Sequence, residues 1–305
     1  PEFRSLFSQT NVQKIVFQVI TEPAQHAIAL ETGSAHASAS VTPDDVSRFE
    51  ENPDYNVFKF RDNLTWAVSF NGSEGHPFTS KELRHAVAYA IDTDGMCQAI
   101  GCMRAYTIGN GNFGGYLTKW ESEDYYNFDL AKAQDLLTQA GYEPGELTFK
   151  LIAQNSAGDA IVSQIIQNQL GELGINIEIE QMEPSTFNEK RYDPTAFDLV
   201  LNGGAGGDFI FSPWLLTMDQ NRNNGTTGSF FKDDEMQSLL MTVSSVDGFT
   251  PENVDAFHQY QKEQLYDYGL LSYVNNVVSV KSITDVVRDT RGQLIPGAFV
   301  YGTDF

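Results

Sequence analysis

A glycine-rich segment in the second half of the chain combines a permissive backbone with one carboxylate. It reads GGAGGD, spans Gly203–Asp208 and follows a short apolar stretch that predicts a strand. Because glycine has no Cβ, the backbone of a ligand can approach the protein backbone closely at such a segment. The carboxylate of Asp208 can accept a charge-assisted hydrogen bond from a ligand ammonium group. A solvated surface turn would have the same sequence, so the segment predicts either a solute-binding loop or a turn.

The glycine-rich segment does not match a cofactor motif, and three common motifs of catalysis and cofactor binding are absent from the sequence. The glycine-rich segment lacks the G-x-G-x-x-G spacing of a dinucleotide site, and Pro213 interrupts any long helix after it. The P-loop motif G-x-x-x-x-G-K-[ST], the zinc motif H-E-x-x-H and the G-x-S-x-G motif of serine hydrolases are also absent. We therefore predict a protein that is not an enzyme and that holds no cofactor and no metal.

Two further short segments carry residues that could bind metal or form a crosslink. The run Asp92–Gly95 (DTDG) opens like a calcium loop, but Met103 stands where the closing glutamate belongs, so we interpret the run as a turn. Cys97 and Cys102 lie five residues apart with no histidine nearby, which does not fit a zinc motif. Two reduced thiols and a local disulfide both remain open.

The charge of the chain limits its partners. The sequence has 305 residues, with 41 acidic and 19 basic side chains and a net charge of −22. So acidic a surface repels phosphate backbones, which argues against nucleic-acid binding. No apolar run approaches the ~18 residues that a membrane-spanning helix needs. The length suggests about two domains.

Strand and helix patterns alternate along the chain, which indicates an α/β layout. The predicted strands are Val12–Ile20, Asn56–Phe60, Leu64–Phe70, Leu147–Ala153, Ile175–Ile179, Phe197–Leu201, Leu270–Val280 and Phe299–Tyr301. The predicted helices include Pro23–Leu30, one that Thr42 caps, one that Asp129 caps, Asp159–Leu173, Asp234–Thr242 and one from Thr250 through Asp267. A strand, a helix and a strand between residues 147 and 179 predict a parallel crossover.

One helix after residue 78 is especially well specified. Thr79 and Glu82 have the spacing of a capping box, and Phe78 and Leu83 that of a hydrophobic staple. An apolar stripe at helical spacing follows, and Asp92 ends it.

These residues lie in a segment that resembles a known family. Trp66–Asp92 (WAVSFNGSEGHPFTSKELRHAVAYAID) resembles the hallmark segment of the extracellular solute-binding proteins of peptide and nickel ABC transporters, in which F-N and P-F precede R-x-A-x-x-Y-A-I-D. Asp129–Tyr142 is similar to a second family motif, D-x-x-x-A-x-x-L-L-x-x-A-G-Y. One departure is His36, which stands where the family has an aspartate.

The resemblance implies a fold and a domain plan. It implies an α/β fold of the periplasmic-binding-protein type II, with mixed sheets flanked by helices and two lobes, the first lobe incomplete. Residues 1–60 would be part of lobe I, 61–269 lobe II, and 270–305 a return segment to lobe I. We expect a fragment or a truncated protein, because a long N-terminal portion of the family has no counterpart here.

The resemblance also implies which residues bind the ligand. In the peptide binders, a loop with G-W-x-x-D-Y/N contributes an aspartate that pairs with the α-amine of the peptide. The matching position here is Asp208, and Gly204 and Gly206 fall on positions whose backbone contacts the ligand. Phe209 and Trp214 complete the predicted ligand-binding set.

Two departures within that loop concern the peptide preference. Ala205 stands in place of the family tryptophan, and Ser212 in place of a later aspartate. A pocket without the tryptophan is either wider or filled by another side chain such as Trp214.

The function that the resemblance implies is solute capture for an ABC importer. A monomer in the periplasm, or at the cell surface as a lipoprotein, would trap a peptide or similar small solute between two lobes and deliver it to the membrane permease. Nickel-chelate binding or oligosaccharide binding by the same fold, or a free-standing sensor or interaction domain, are the alternatives.

Overall fold

The computed structural model describes residues 14–121, 124–204, 209–220, 230–289 and 293–302. These residues form two compact units. Unit 1 contains the described residues up to Asp62 and those from Val274 onward, and unit 2 spans Asn63–Tyr273. The chain thus passes from one unit to the other at residues 62–63 and again at 273–274. The assignment of segments to lobes stays a prediction.

Helices and strands alternate through the described ranges. The helices are α1 (Pro23–Glu31), α2 (Pro43–Glu50), α3 (Lys81–Ala90), α4 (Thr93–Ile100), α5 (Leu130–Gln139), α6 (Ala157–Glu172), α7 (Pro184–Lys190), α8 (Ser212–Thr217), α9 (Asp234–Val243) and α10 (Pro251–Gln264). The strands are β1 (Ala37–Ser38), β2 (Tyr55–Arg61), β3 (Thr65–Phe70), β4 (Cys102–Arg104), β5 (Thr148–Gln154), β6 (Asn176–Met182), β7 (Leu199–Gly204), β8 (Asp267–Val280), β9 (Ile283–Asp285) and β10 (Val300–Tyr301). Across the described ranges, no helix has the length and apolar character that would let it cross a membrane.

Unit 1 is built on the second half of β8. That half pairs antiparallel with β1 and with β2, where Tyr55 lies opposite Val280. One core cluster of this unit joins Leu30 of α1, Phe49 of α2 and Val278 of β8. The two helices therefore cover a sheet face to which β8 contributes Val278 and β2 contributes Tyr55 and Val57.

Unit 2 is built on a mixed sheet with strand order β8-β3-β7-β5-β6. β3 pairs antiparallel with β7 and with β8, whereas β5 runs parallel to both β6 and β7. The predicted parallel crossover is confirmed, because β5, α6 and β6 form it. The largest core cluster lies in this unit, and its fully buried members include Phe70, Phe78 and Leu151.

The helix starts follow the sequence prediction at several caps. Thr42, Asp129 and Thr250 each accept a hydrogen bond from the backbone N–H three residues later, as an N-cap should. Gly141 and Gly174 adopt positive φ after α5 and α6, which is the conformation that ends a helix at glycine.

Two predictions around α3 are wrong by a small shift in register. Pro77–Thr79 form a 3₁₀ turn, so the N-cap is Ser80, whose Oγ accepts from Leu83 N at 3.2 Å. Asp92 does not begin a turn but caps α4 and accepts from Gly95 N at 2.8 Å. In both places a polar side chain accepts from a backbone donor in the first turn of the helix that follows.

The predicted strand at Val12–Ile20 is also wrong where the structure describes it. Residues 14–20 pair with no strand of the described chain, and Val16, Phe17 and Val19 are 72%, 77% and 90% exposed. A strand needs a partner for its backbone groups, and the β pattern of the sequence cannot supply one.

The alternatives left open for the cysteines resolve to a disulfide. Cys97 and Cys102 are bonded. Helix α4 ends at Ile100, and Gly101 at φ +70° turns the chain so that β4 can return beside it. The crosslink closes this turn.

Arg84 of α3 fixes the end of α10. Its guanidinium is 2% exposed and donates to the carbonyl oxygens of Gln264 (2.6 and 2.9 Å) and Leu265 (3.1 Å). It also donates to Phe78 O at 2.7 Å and to Thr79 O at 3.2 Å. Burial lowers the pKa of Arg84 to about 10, so the group stays charged at neutral pH.

The predicted end of this helix at Asp267 is therefore wrong. Leu265 takes φ +51° and leaves the helix, since a buried cation binds the last carbonyl groups and the chain turns into β8.

We predict that Arg84→Met destabilises the protein by about 3 kcal/mol or more. The variant keeps the apolar stem but leaves several carbonyl oxygens without their donor in a buried place. Urea unfolding followed by circular dichroism would measure the change. Lys150→Met is the control, because Lys150 forms an exposed ion pair with Glu180 and its loss should cost less than about 1 kcal/mol. Equal stability of both variants would contradict the role given to Arg84.

Candidate functional site

The glycine-rich segment leaves the sheet of unit 2 at one defined edge. Gly204 ends β7 and lies opposite Thr65, the first residue of β3. Because β5 and β6 run parallel to β7, their carboxyl ends reach the same edge. In open α/β sheets, ligands bind beyond the carboxyl ends of the strands. We call this edge the loop edge.

Trp66 is the large aromatic side chain of the loop edge. It pairs with Gly203 in the sheet, and its indole passes over that residue, so that a Cβ on Gly203 would lie 3.5 Å from the ring. The ring packs edge-on against Tyr273, with centroids 4.7 Å apart. The two rings form a partly exposed aromatic surface beside the start of the glycine-rich segment.

Asp159 fixes the orientation of this aromatic pair. Its Oδ1 accepts from Trp66 Nε1 at 3.0 Å, and its Oδ2 accepts from Gln154 N at 3.2 Å. Ser156 caps α6 and accepts from the Asp159 backbone, which places the carboxylate at the carboxyl end of β5. The carboxylate is 5% exposed, so both bonds form in an environment of low polarity, where they are strong.

Tyr273 is held against the same carboxylate. A Cβ on Gly158 would lie 2.7 Å from the Tyr273 hydroxyl, so only glycine allows this approach. Burial, together with the negative charge of Asp159, raises the pKa of Tyr273. The phenol is therefore a neutral hydrogen-bonding group at physiological pH.

Amide side chains continue the loop edge on the other side of β3. Asn110 Nδ2 donates to Thr65 Oγ1 at 3.2 Å, and Asn112 Nδ2 donates to Asn63 Oδ1 at 2.7 Å. The segment that carries Asn110 and Asn112 is rich in glycine. The loop edge thus combines a partly exposed aromatic pair, which suits stacking with a small solute, with buried carboxylate and amide groups that hold the edge in place.

The predicted ligand-binding residues are only partly described. Gly204 is at the end of β7, whereas Gly206 and Asp208 lie outside the described residues. Phe209 is partly buried, with ring centroids 5.2 Å from Phe211 and 6.0 Å from Phe249.

Trp214 lies in the interior of unit 2. Its indole is 0% exposed and packs against Phe211, Phe257 and His258. A Cβ on Gly109 would lie 2.7 Å from the indole ring, so the residue at 109 must be small. In the described state this side chain offers no surface to a solute.

Sequence reasoning did not single out Trp66, Asp159 or Tyr273 as site residues. Trp66 lies in the segment that resembles the family and Asp159 at the start of a predicted helix, and neither position carries a site motif. Their meeting depends on the pairing of β3 with β7 and of β3 with β8. Once β3 is paired with β7, the position of Trp66 opposite a glycine of the glycine-rich segment is the signal that identifies it as a site residue.

A cavity of about 890 Å³ opens at the opposite edge of the same sheet. It begins just beyond the end of β3, at Gly72, whereas the loop edge lies at the start of that strand. Its lining includes Lys81, Arg84, Tyr192 and Lys232. The guanidinium of Arg84 is already bound to backbone carbonyl groups, and Lys81 pairs with Glu263 at 3.3 Å. This cavity is therefore separate from the loop edge.

Metal-binding chemistry has no support among the described residues. Within residues 14–121, 124–204, 209–220, 230–289 and 293–302, no three His, Cys, Asp or Glu side chains come together as metal ligands would. His258 is buried, its Nε2 lies 3.1 Å from Gly115 O, and burial lowers its pKa to about 4. It is a neutral core residue at physiological pH.

Solved structures share this fold. HbpA2 from Haemophilus parasuis superposes with a TM-score of 0.83 at 17% identity, covering 93% of this chain and 57% of that chain. The oligopeptide-binding protein AppA from Bacillus subtilis, in complex with a nonapeptide, superposes with a TM-score of 0.68 at 16% identity, covering 93% and 60%. These likenesses confirm the predicted periplasmic-binding-protein fold, of which the chain covers a part.

A curated relative and a family profile give the same placement from sequence. The glutathione-binding protein GsiB of Pectobacterium atrosepticum is 25% identical over 183 residues, which cover 56% of this chain and 33% of GsiB. The chain thus matches about a third of the length of that relative. The profile described as "Bacterial extracellular solute-binding proteins, family 5 Middle" matches residues 7–226. Because that match spans more than half of the chain, the protein belongs to the bacterial extracellular solute-binding proteins of family 5.

Proposed function

We propose that the chain forms the solute-binding part of an extracytoplasmic binding protein that serves an ABC importer. It captures a peptide or a similar small solute and delivers it to the permease in the membrane. The protein binds its solute without chemical conversion, and it acts as a monomer in the periplasm or at the cell surface. Membership of an extracellular solute-binding family supports both the location and the binding role.

The observation that carries this proposal is the position of the glycine-rich segment. It leaves β7 at the carboxyl edge of the sheet, next to the aromatic pair of Trp66 and Tyr273. A solute at that edge can contact backbone groups of the segment and stack on an indole at the same time. Gly204, Gly206 and Asp208 are the proposed contacts within the segment, and Phe209 lies directly after it.

The energetics require several kinds of contact. Micromolar affinity corresponds to about −8 kcal/mol. A hydrogen bond between Asp208 and a solute ammonium group contributes about 1.5–3 kcal/mol, so it cannot supply the affinity alone. Backbone hydrogen bonds and burial of apolar solute groups on Trp66 and Tyr273 must supply the remainder. Hinge closure of two lobes would provide that burial, and the closed form would be favoured only by contacts that it alone makes.

Peptide-like solutes fit the site better than the alternatives. The net charge of −22 favours neutral or cationic solutes over anionic metal chelates. A glutathione binder and an oligopeptide binder are among the proteins with similar sequence or structure. Native mass spectrometry of the full-length protein, with detection of co-purified solute, tests this preference. Detection of a metal chelate or an oligosaccharide would contradict the preference for peptides. Detection of no solute would favour a free-standing sensor or interaction domain.

We predict that Asp208→Ala weakens binding of trialanine at least tenfold in the full-length protein. The substitution removes the carboxylate proposed to bind the peptide α-amine, and a tenfold loss corresponds to about 1.4 kcal/mol. Isothermal titration calorimetry would measure the affinity. Asp135→Ala changes the net charge equally at an exposed position of α5 and should leave the affinity unchanged. Unchanged affinity of the Asp208 variant would remove Asp208 from the site.

We further predict that Trp66→Leu lowers the affinity for a peptide with aromatic side chains, such as triphenylalanine, about tenfold. Aromatic stacking and the loss of buried area explain this effect. Trp66→Phe loses the hydrogen bond to Asp159 but keeps an aromatic ring. Because the ring can still stack on the solute, this variant should retain most of the affinity. Fluorescence-detected competition would compare the two variants. If both bind as tightly as the unchanged protein, the aromatic pair lies away from the solute.

A further inference from the structure

Asp267 is a buried carboxyl group that the proposed site does not use. It is the first residue of β8, is 2% exposed, and follows the turn that ends α10. The indole Nε1 of Trp214, the side-chain amide of Gln261 and the backbone N–H of Ile108 lie near its carboxyl. Neither carboxyl oxygen, however, completes a hydrogen bond of ordinary geometry, and the same holds for Trp214 Nε1 and for the Gln261 amide. Buried polar atoms in this condition need an explanation.

No positive charge compensates a carboxylate at this position. Among the described residues, no cationic side chain contributes to its electrostatic environment. The titratable groups around it are Tyr125 and, across the ring of Trp214, His258. Burial raises the pKa of Tyr125 well above its usual value and lowers that of His258 to about 4, so both are neutral near pH 7. A carboxyl group in such surroundings retains its proton to higher pH.

Protonation changes what the carboxyl group can bind. As a neutral acid it has one O–H donor and keeps one acceptor oxygen for Trp214 Nε1. As a carboxylate it has no donor and must be solvated in an apolar interior. Burial raises the pKa of Asp267 from its ordinary 3.8 to about 7, so both forms are accessible near neutral pH.

The position of Trp214 connects this carboxyl group to the loop edge. Trp214 belongs to α8, which begins at Ser212, four residues after Asp208. We infer that Asp267 is a positioning residue that in its protonated form holds Trp214 and α8, and thereby the end of the solute-binding segment, so that solute affinity falls when the carboxyl group ionises. The part that concerns affinity rests on the proposed function, whereas the part that concerns Trp214 does not.

The same equilibrium affects stability with a definite sign. Between pH 4 and pH 7 the unfolded chain has lost the proton of Asp267 while the folded chain retains it. Stability from this group is therefore full below about pH 4 and is lost as pH rises towards 7, by up to about tenfold in the folding equilibrium constant per pH unit. Asp267→Asn cannot ionise and lacks this contribution.

The first experiment follows Trp214 without any solute. The full-length protein is labelled with 5-fluorotryptophan, and ¹⁹F NMR spectra are recorded from pH 5 to pH 9. Trp214→Phe identifies the resonance. We expect it to shift with a midpoint near pH 7, and to stay constant in Asp267→Asn. A Trp214 resonance that does not change with pH in the unchanged protein overturns the inference.

A second variant covers the case in which Asp267→Asn does not fold. Gln261→Met removes an amide that lowers the pKa of the carboxyl group. The midpoint of the Trp214 titration should then move to higher pH. An unchanged midpoint would show that another group causes the titration.

The second experiment measures affinity for trialanine and glutathione by calorimetry at pH 6 and pH 8. We expect at least a fivefold fall for the unchanged protein and less than a twofold fall for Asp267→Asn. If the Trp214 resonance titrates but the affinity of the unchanged protein and that of Asp267→Asn depend equally on pH, the positioning role of Asp267 is overturned. If neither probe binds at either pH, the proposed peptide function fails, and the Trp214 titration alone decides the role of Asp267.

Discussion

The bond between Arg84 and four carbonyl groups is the constraint on which the arrangement of unit 2 depends. A buried guanidinium is costly to desolvate, and it is retained here because every bond that it makes is to a backbone oxygen that would otherwise be orphaned. The rings of Phe231 and Tyr266 lie 4.9 and 5.1 Å from its carbon, which adds cation–π attraction. The end of α10 and the start of β8 are set by this one side chain. The pairing of β8 with β3, which shifts register between Ala67 and Trp66, then brings Tyr273 to Trp66 at the loop edge.

The parts of this fold that could be predicted are those that neighbouring residues determine. Thr42, Asp129 and Thr250 cap helices because a hydroxyl or carboxylate three residues before an N–H needs no tertiary partner. The strands β5 and β6 were predictable for the same reason, since the apolar run of β5 and the apolar alternation of β6 are local patterns. The end of α10 was not, because its cause is Arg84, about 180 residues away in sequence. The strand prediction at residues 14–20 is wrong for a similar reason. The β pattern of the sequence indicates a tendency to pair, but it does not show whether a partner strand is present.

The candidate site likewise contains one part that a local sequence motif predicts and one part that depends on distant residues. The family motif specifies the Gly203–Asp208 segment, and the amine-binding role of Asp208 remains a prediction from that resemblance. Trp66, Asp159 and Tyr273 come from three separate parts of unit 2 and meet only when the sheet forms. No spacing rule joins them. Their contacts nevertheless bear on one departure from the family motif, since Ala205 replaces a tryptophan while Trp66 places an indole beside Gly203, two residues before Ala205.

The anchoring of the segment at both ends limits how it can bind. On one side, Gly203 is held in the sheet under Trp66, and on the other, Phe211 and Trp214 are fully buried in the core. Large displacements of either anchor would cost the burial of aromatic side chains, about 1.5–3 kcal/mol for a residue such as Phe211. Under the proposed function, the solute contacts of the segment come from residues 204–210, whose side chains are those of glycine, alanine, one aspartate, Phe209 and Ile210. The proposed function therefore assigns recognition of the solute backbone to this segment and its single charge, and selectivity for solute side chains to Phe209 and the aromatic pair at the loop edge.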